Sequence, residues 1–99
     1  MLREVRLKRM LLFEWDEAKH ARNLALRGVG FDAGTTIFAG PIVEWPDDRQ
    51  DYGEARVRAV GICNGEVLHV VFTDRGEVRR IISVRRANRR ERTTWLRRE

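Results

Sequence analysis

The chain has 99 residues, of which 42% are hydrophobic and 35% are charged. This length suits one domain, and this composition suits a packed core rather than a disordered tail. The longest apolar stretch, at Val67–Phe72, is far shorter than the roughly 20 residues of a membrane-spanning helix, and no apolar segment of a signal peptide follows the basic start. The one cysteine excludes an internal disulfide. We therefore expect a cytoplasmic protein without a membrane partner.

The net charge of +5, with a pI near 10.6, favours an anionic partner. Residues 75–99 hold ten arginines against three glutamates, whereas residues 44–54 hold five acids against one arginine. Eighteen of the twenty cations are arginines, whose planar guanidinium groups match phosphate oxygens in pairs. A phosphate-bearing ligand is the favoured interpretation, and the alternative is a solvated surface rich in arginine.

The N-terminal part of the chain predicts a short extension, a strand and a helix. Residues 1–9 carry four cations against one acid and no periodic apolar face, so we expect a flexible basic extension before a single domain over residues 10–99. The apolar run at residues 11–15 predicts the first strand. Asp16 offers a side-chain oxygen to the helix that follows, and Gly28 is placed to end that helix.

The rest of the chain predicts a second short helix capped by Asp32, a polar loop, a β-meander and a last helix. The predicted meander strands are Ala55–Cys63, Glu66–Asp74 and Glu77–Arg85. They are separated by the turn signals Asn64-Gly65 and Arg75-Gly76. Asn88 and Glu91 have the spacing of a capping box for the last helix. The order β-α-α-β-β-β-β-α indicates an α+β fold, with an antiparallel sheet, two N-terminal helices and one C-terminal helix.

The first helix carries a row of polar side chains that suits a phosphate backbone. Lys19, Asn23 and Arg27 fall at i, i+4 and i+8, so they lie one above another on a single face. Surface helices in general carry polar stripes of this kind, and the alternative interpretation is an ordinary solvated face.

The last strand divides its side chains between two faces if the alternation is strict. One face then carries Arg79, Ile81, Ser83 and Arg85, and the other carries Val78, Arg80, Ile82 and Val84. We expect the first set on the open side of the sheet. Arg80 is then placed either at the rim or in a buried ion pair, and the same alternatives apply to Arg56 and Arg58, which share a face of an earlier strand.

The last helix has two arginines, Arg89 and Arg90, in a first turn where the helix dipole favours anions. A phosphate bound there meets free N–H groups together with Arg85 and Arg86. In the alternative interpretation, acids from residues 44–54 neutralise these arginines.

The sequence contains few residues that could form another kind of catalytic site. Ser83 is the only serine and has no histidine near it in sequence, while Cys63 is expected in a strand as a small core residue. We expect His20 and His69 on the surface and in the sheet rather than as a pair. A carboxylate metal site is conceivable at Asp47, Asp48 and Asp51, but acidic loops are usually solvated, and we expect no metal or other cofactor.

Several segments together carry a family resemblance. Residues 13–19 read Phe-Glu-Trp-Asp-Glu-Ala-Lys, residues 51–54 read Asp-Tyr-Gly-Glu, and residues 80–83 read Arg-Ile-Ile-Ser. From about residue 10 to residue 95 the chain resembles the BrnT family of type II toxins. The resemblance implies a RelE-like fold and a ribonuclease that arrests translation without a metal. It also implies a hetero-oligomer with a BrnA-like ribbon-helix-helix antitoxin, through which alone operator DNA is bound.

RNA cleavage requires a base for the 2′-OH proton, cations for the charge of the phosphorane and a donor for the leaving 5′ oxygen. Under the resemblance, we expect catalytic roles for Lys19, Glu54, Arg56, Arg80 and Arg85, and RNA contacts from Arg79, Ser83, Arg86, Arg89 and Arg90. The arginines are cast as electrostatic stabilisers, and Lys19 or Glu54 as the group that exchanges a proton. The chain departs from the family at Leu26-Arg27, where Lys-His is frequent, and at Trp95, where a tyrosine is usual.

Two further functions are compatible with these features. One is a catalytically weak or inactive toxin-fold subunit that acts with its antitoxin as a DNA-binding autorepressor. The other is a nucleic-acid-binding module alone, which accounts for the basic charge but not for the acidic stretch at residues 44–54.

Overall fold

A computed structural model describes residues 12–98, so the expected extension at residues 1–9 lies outside the described part of the chain. The helices are α1 (Glu17–Arg27), α2 (Phe31–Thr36), continued by a 3-10 turn (Ile37–Ala39), and α3 (Arg89–Leu96). The strands are β1 (Leu12–Glu14), β2 (Ile42–Pro46), β3 (Val57–Cys63), β4 (Glu66–Arg75) and β5 (Val78–Arg86). Among these residues, no helix has the length and apolar character needed to cross a bilayer.

The five strands form one sheet in the order β1-β5-β4-β3-β2, which confirms the α+β fold class and the predicted element order. Strands β2 to β5 are an antiparallel meander, while β1 pairs with β5 in parallel, so the sheet is mixed. The turn at Asn64-Gly65 is confirmed, with φ of 49° and 83°. The second turn lies at Gly76-Glu77, one residue later than predicted, because Gly76 supplies the positive φ, 61°.

Local capping signals place most helix ends correctly. The Asp16 side chain accepts a hydrogen bond from the Lys19 N–H at 3.0 Å, and Gly28 ends α1 with a φ of 73°. Asn88 and Glu91 form the complete capping box of α3. These contacts join residues three or four apart, so the sequence alone defines them.

The predicted cap of α2 is wrong. Gly30, not Asp32, precedes the helix, and Asp32 lies in its first turn. The His20 ring of α1 explains the difference, because its Nδ1 accepts a hydrogen bond from the Phe31 N–H at 2.9 Å and satisfies the helix start from outside. A Cβ on Gly30 would lie 2.5 Å from that ring, so only glycine fits there.

The two faces of the sheet are covered by different helices. One face packs under α2 and is called the α2 face; its buried hydrophobic cluster is Val29, Phe31, Ile37, Ala59, Leu68, Val70, Phe72, Ile81 and Val84. Gly34 lets α2 approach this face, since a Cβ there would lie 2.5 Å from Val84. The other face, the α3 face, carries His69 and Val71 of β4 under the terminal helix.

A β-bulge in β5 overturns the predicted division of its side chains. Phe72 pairs with Ile81 and Val71 with Ser83, so Ile82 is an extra residue and the alternation reverses there. Arg79 and Ile81 therefore lie on the α2 face, whereas Ser83 and Arg85 lie on the α3 face together with Arg80. The prediction that Arg79, Ser83 and Arg85 share a face is wrong.

Helix α1 covers the edge of β5 beyond the point where β1 ends. Strand β1 pairs only with residues 78–80, and the Asn23 amide then donates to the carbonyl oxygens of Val84 at 2.9 Å and Val29 at 2.8 Å. The predicted row on α1 is thus divided, because Asn23 faces the body of the protein while Lys19 and Arg27 stay exposed.

We expect Asn23→Ala to lower the free energy of unfolding by about 1 to 3 kcal/mol, because two partly buried carbonyl groups lose their donor. Arg22→Ala, one position away on the exposed side of α1, is the matched control and is expected to change it little. Urea unfolding of both variants measures the difference. Equal midpoints would show that Asn23 does not hold α1 to the sheet.

Candidate active site

Four charged or titratable side chains meet on the α3 face beneath the start of α3. The Arg85 guanidinium donates to both carboxylate oxygens of Glu91, at 2.8 and 2.9 Å. Arg58 donates from Nε to Nε2 of His69 at 3.1 Å and lies 3.5 Å from Glu91. The side chains of His69 and Glu91 are 1% and 7% exposed, whereas Arg85 is 30% exposed. Arg85 is therefore both fixed and accessible.

The charges of this network are set by burial and by its arginines. Burial opposes the charged form of Glu91, but hydrogen bonds from Arg85 and the Asn88 N–H outweigh it and bring the Glu91 pKa to about 2. Burial, with the positive charges of Arg85 and Arg58, lowers the pKa of His69 to about 4 against the attraction of Glu91. At neutral pH, Glu91 is a carboxylate and His69 is uncharged.

The proton of neutral His69 lies on Nδ1, because Nε2 accepts the hydrogen bond from Arg58. Nδ1 is buried and has no hydrogen-bond partner among residues 12–98. A second proton on Nε2 would break the bond from Arg58 and add a charge beside two arginines. The ring is therefore a fixed acceptor for Arg58 rather than a proton carrier in this arrangement.

His69 makes the protein sensitive to mild acid. Because its pKa is lowered from 6.5 to about 4, its contribution to stability is fully present above pH 6.5 and is lost as the pH falls toward 4. At 1.36 kcal/mol per pKa unit, the loss is about 3 kcal/mol. We expect His69→Gln to lose less stability than the wild type between pH 7 and pH 4.5, measured by urea unfolding at each pH. An unchanged pH dependence would contradict this assignment.

A second network lies on the same face at the β4–β5 hairpin. Glu54 accepts from Arg56 at 3.0 Å and from Arg75 at 3.2 Å, and Arg80 pairs with Glu14 at 3.2 Å. The hydrogen bonds from Arg56 and Arg75 hold the pKa of Glu54 below its usual value, which makes it a weaker base.

The loop that carries Glu54 is fixed over the α3 face by short contacts. The Thr73 hydroxyl donates to the Ala55 carbonyl at 2.7 Å, and the Arg56 guanidinium lies 4.1 Å from the centre of the Tyr52 ring. Arg80, predicted either at the rim or in a buried pair, is in a partly exposed pair with Glu14.

The structure brings five of the predicted site residues to the α3 face: Glu54, Arg56, Arg80, Ser83 and Arg85. Two predicted RNA-binding arginines lie elsewhere. Arg79 forms two hydrogen bonds to Asp74 and lies 4.0 Å from the centre of the Phe72 ring. Arg86 pairs with Glu66 and donates to the Arg27 carbonyl, so it closes the C-terminal end of α1. The bulge directs Arg79 to the α2 face.

The remaining predicted residues lie at the borders of the α3 face. Lys19 lines a groove between α1 and β5 together with Ser83. Arg89 and Arg90 are exposed in the first turn of α3, and within residues 12–98 no acid pairs with them. Neutralisation of these arginines by acids of residues 44–54 is therefore not observed; Asp47 pairs instead with Arg49.

The acidic stretch considered as a metal site has other partners. Arg49 donates to Asp47 at 2.7 and 2.8 Å and brings the Asp47 pKa to about 2, and Asp51 accepts from the Gly53 N–H. In the described part of the chain, no three His, Cys, Asp or Glu residues are grouped as metal ligands.

Arg58, His69 and Glu91 were not predicted as site residues. Glu91 was assigned only to the capping box, and His69 only to the sheet. The bulge in β5 brings Arg85 into this group, because the extra residue places Arg85 opposite His69. No local signal in the sequence marks that shift.

Comparison with known protein families identifies the family of the chain. A family model described as "Ribonuclease toxin, BrnT, of type II toxin-antitoxin system" matches residues 15–91. The matched segment runs from the residue before the α1 cap to Glu91, and so includes the whole Arg85 network. Among curated proteins, none is similar enough in sequence to match the chain.

Proposed function

The chain belongs to the BrnT family of ribonuclease toxins of type II toxin-antitoxin systems, and we propose that it cleaves RNA on its α3 face without a metal ion and so arrests translation. The observation that carries the proposal is the state of Arg85. Two hydrogen bonds to Glu91 fix its guanidinium, yet part of the group stays open to solvent on the same face as Ser83 and Arg80.

This geometry suits charge stabilisation during attack of the 2′-OH on the neighbouring phosphate. The negative charge that gathers on the phosphorane is stabilised by donors that are already oriented, because no reorganisation is needed as the charge develops. Arg85 supplies N–H groups that Glu91 does not use, and Arg80 adds positive charge farther along β5. Ser83 lies between them as a hydroxyl partner for the phosphate or the ribose.

The 2′-OH and the leaving 5′ oxygen also need partners for proton transfer. We assign Glu54, which two arginines hold as a carboxylate, as the acceptor of the 2′-OH proton, although their hydrogen bonds weaken it as a base. Lys19 is an exposed ammonium group beside Ser83, without an ion pair in the described chain, and we assign it to the leaving 5′ oxygen as a hydrogen-bond or proton donor. Arg89 and Arg90 then bind phosphates away from the scissile bond.

The family implies an antitoxin partner, and we propose a BrnA-like ribbon-helix-helix protein that forms a hetero-oligomer with the chain in the cytoplasm and binds operator DNA. An acidic antitoxin segment over the α3 face is expected to block RNA by complementary charge. Growth arrest on expression of the chain alone, relieved by co-expression of the antitoxin, is the expected result. Normal growth with folded chain alone would contradict toxin activity.

The reaction is tested by single-turnover cleavage of a defined RNA in EDTA. We expect cleavage at an undiminished rate, because arginine donors take the role that a metal ion would have. Loss of activity in EDTA would contradict the metal-free mechanism. RNA binding without cleavage would favour the alternative function, an inactive subunit that acts with its antitoxin as an autorepressor.

One observation favours that alternative: Glu91 already neutralises part of the charge of Arg85 and Arg58.

A further inference from the structure

The ion pairs of the described chain divide its cations into two groups. The arginines of the strands and of the loop before β3 each pair with a carboxylate: Arg49, Arg56, Arg58, Arg75, Arg79, Arg80, Arg85 and Arg86. Within residues 12–98, no such pair is formed by the cations of α1 or by those of α3 and the two residues that follow it: Lys19, Arg22, Arg27, Arg89, Arg90, Arg92, Arg97 and Arg98. The free positive charge therefore flanks the α3 face on two sides.

The α1 side of this charge lines a groove. The groove is lined by the exposed cations Lys19, Arg22 and Arg27 of α1, together with Leu26, Ile82 and Ser83. The groove has a volume of about 240 Å³, and among residues 12–98 no acidic residue lines it. Beyond residue 80 no described strand pairs with this edge of β5, and the Asn23 amide donates to its Val84 carbonyl.

From this arrangement we propose that the groove binds one nucleotide of single-stranded RNA next to the scissile phosphate, with the phosphate on Arg22 and Arg27 and the base against Leu26 and Ile82. The proposal rests on the proposed function, because it names a substrate contact of the same enzyme. Ser83 connects the two sites, since it lies on the α3 face with Arg85 and also lines the groove.

The mixture of cations and exposed apolar groups favours single-stranded RNA over other polyanions. Leu26 is 79% exposed, and the bulge residue Ile82 also lines the groove. Unpaired bases bind to apolar and aromatic side chains while their phosphates bind cations, whereas a duplex buries its bases and offers phosphates alone.

The test is the salt dependence of binding to a single-stranded RNA octamer with 2′-O-methyl groups, which cannot be cleaved. For Arg22→Ala and Arg27→Ala we expect a lower affinity and a salt slope reduced by about 0.7 for each lost phosphate contact. For Leu26→Ser we expect about a 5- to 10-fold loss of affinity with an unchanged salt slope, because a base contact is lost rather than a phosphate contact. Leu96→Ser, at a leucine of α3 that is 71% exposed, is the matched control and should bind as the wild type does.

Three results would overturn the proposal. Wild-type binding by the Arg22, Arg27 and Leu26 variants would show that RNA does not enter the groove. Equal losses on an RNA duplex would show a charged surface without a base site. Tighter binding of a hexaglutamate peptide than of the octamer, with the same losses in the variants, would assign the groove to an acidic protein segment.

Failure of this proposal and failure of the proposed function give different results. Because the octamer cannot be cleaved, the losses in affinity are measured whether or not the wild type is a ribonuclease. Cleavage by the wild type with unchanged binding by the three variants contradicts the groove alone. Binding losses as expected, together with no cleavage by the wild type, support the groove and contradict the ribonuclease.

Discussion

A lysine in place of Arg85 is expected to lower the single-turnover rate of RNA cleavage by about 10² to 10³ and to leave RNA affinity nearly unchanged. Lysine keeps the positive charge opposite the buried Glu91 carboxylate, so the fold is retained. It lacks the planar fork that bonds to Glu91 and offers further N–H groups to the phosphorane. The rate therefore reports on oriented donors and not on charge alone.

The matched control is Arg86→Lys, at the neighbouring residue of β5, which pairs with Glu66 and points away from the α3 face. It is expected to cleave at the wild-type rate. The cleavage rates of Arg56→Lys and Arg80→Lys, measured in the same way, test whether the second network also acts on the phosphate. A wild-type rate for folded Arg85→Lys would remove Arg85 from the mechanism, and equal losses of affinity in all these variants would make the chain a binding protein only.

Glu91→Ala is expected to lower the free energy of unfolding by about 3 to 5 kcal/mol, which is the usual effect of removing one partner of a buried ion pair. The substitution leaves Arg85 and Arg58 without their carboxylate, and it removes the acceptor of the Asn88 N–H in the capping box. Urea unfolding at pH 7 measures the change.

Glu66→Ala is the matched control for Glu91, because Glu66 also pairs with an arginine but is 56% exposed. An exposed pair contributes about 0 to 1 kcal/mol, so the two variants are expected to differ severalfold. Lowering the pH should reduce the difference, since the Glu91 pKa is about 2 and its contribution is lost as the pH falls from about 4.5 toward that value. Similar midpoints for both variants would show that the Glu91 network does not stabilise the fold.

Much of the local architecture could be predicted from the sequence, because it depends on residues close together in the chain. Asp16 and Gly28 bound α1, Asn64-Gly65 turns the first hairpin, and Asn88 with Glu91 starts α3. Each of these contacts spans at most four residues and uses capping side chains or positive φ angles. Together with the segments that resemble BrnT toxins, they were sufficient for the fold class and the family.

The tertiary structure decided which side chains meet. Asn23 appeared to belong to a phosphate-binding row, but it donates to Val84, 61 residues away, because the edge of β5 beyond β1 needs a donor. Arg85 appeared to share a face with Arg79, but the bulge at Ile82 separates them and places Arg85 opposite His69. A shift of one residue in a strand exchanges its two faces. That shift is defined by the way β5 pairs with β4, and strict alternation along β5 does not predict it.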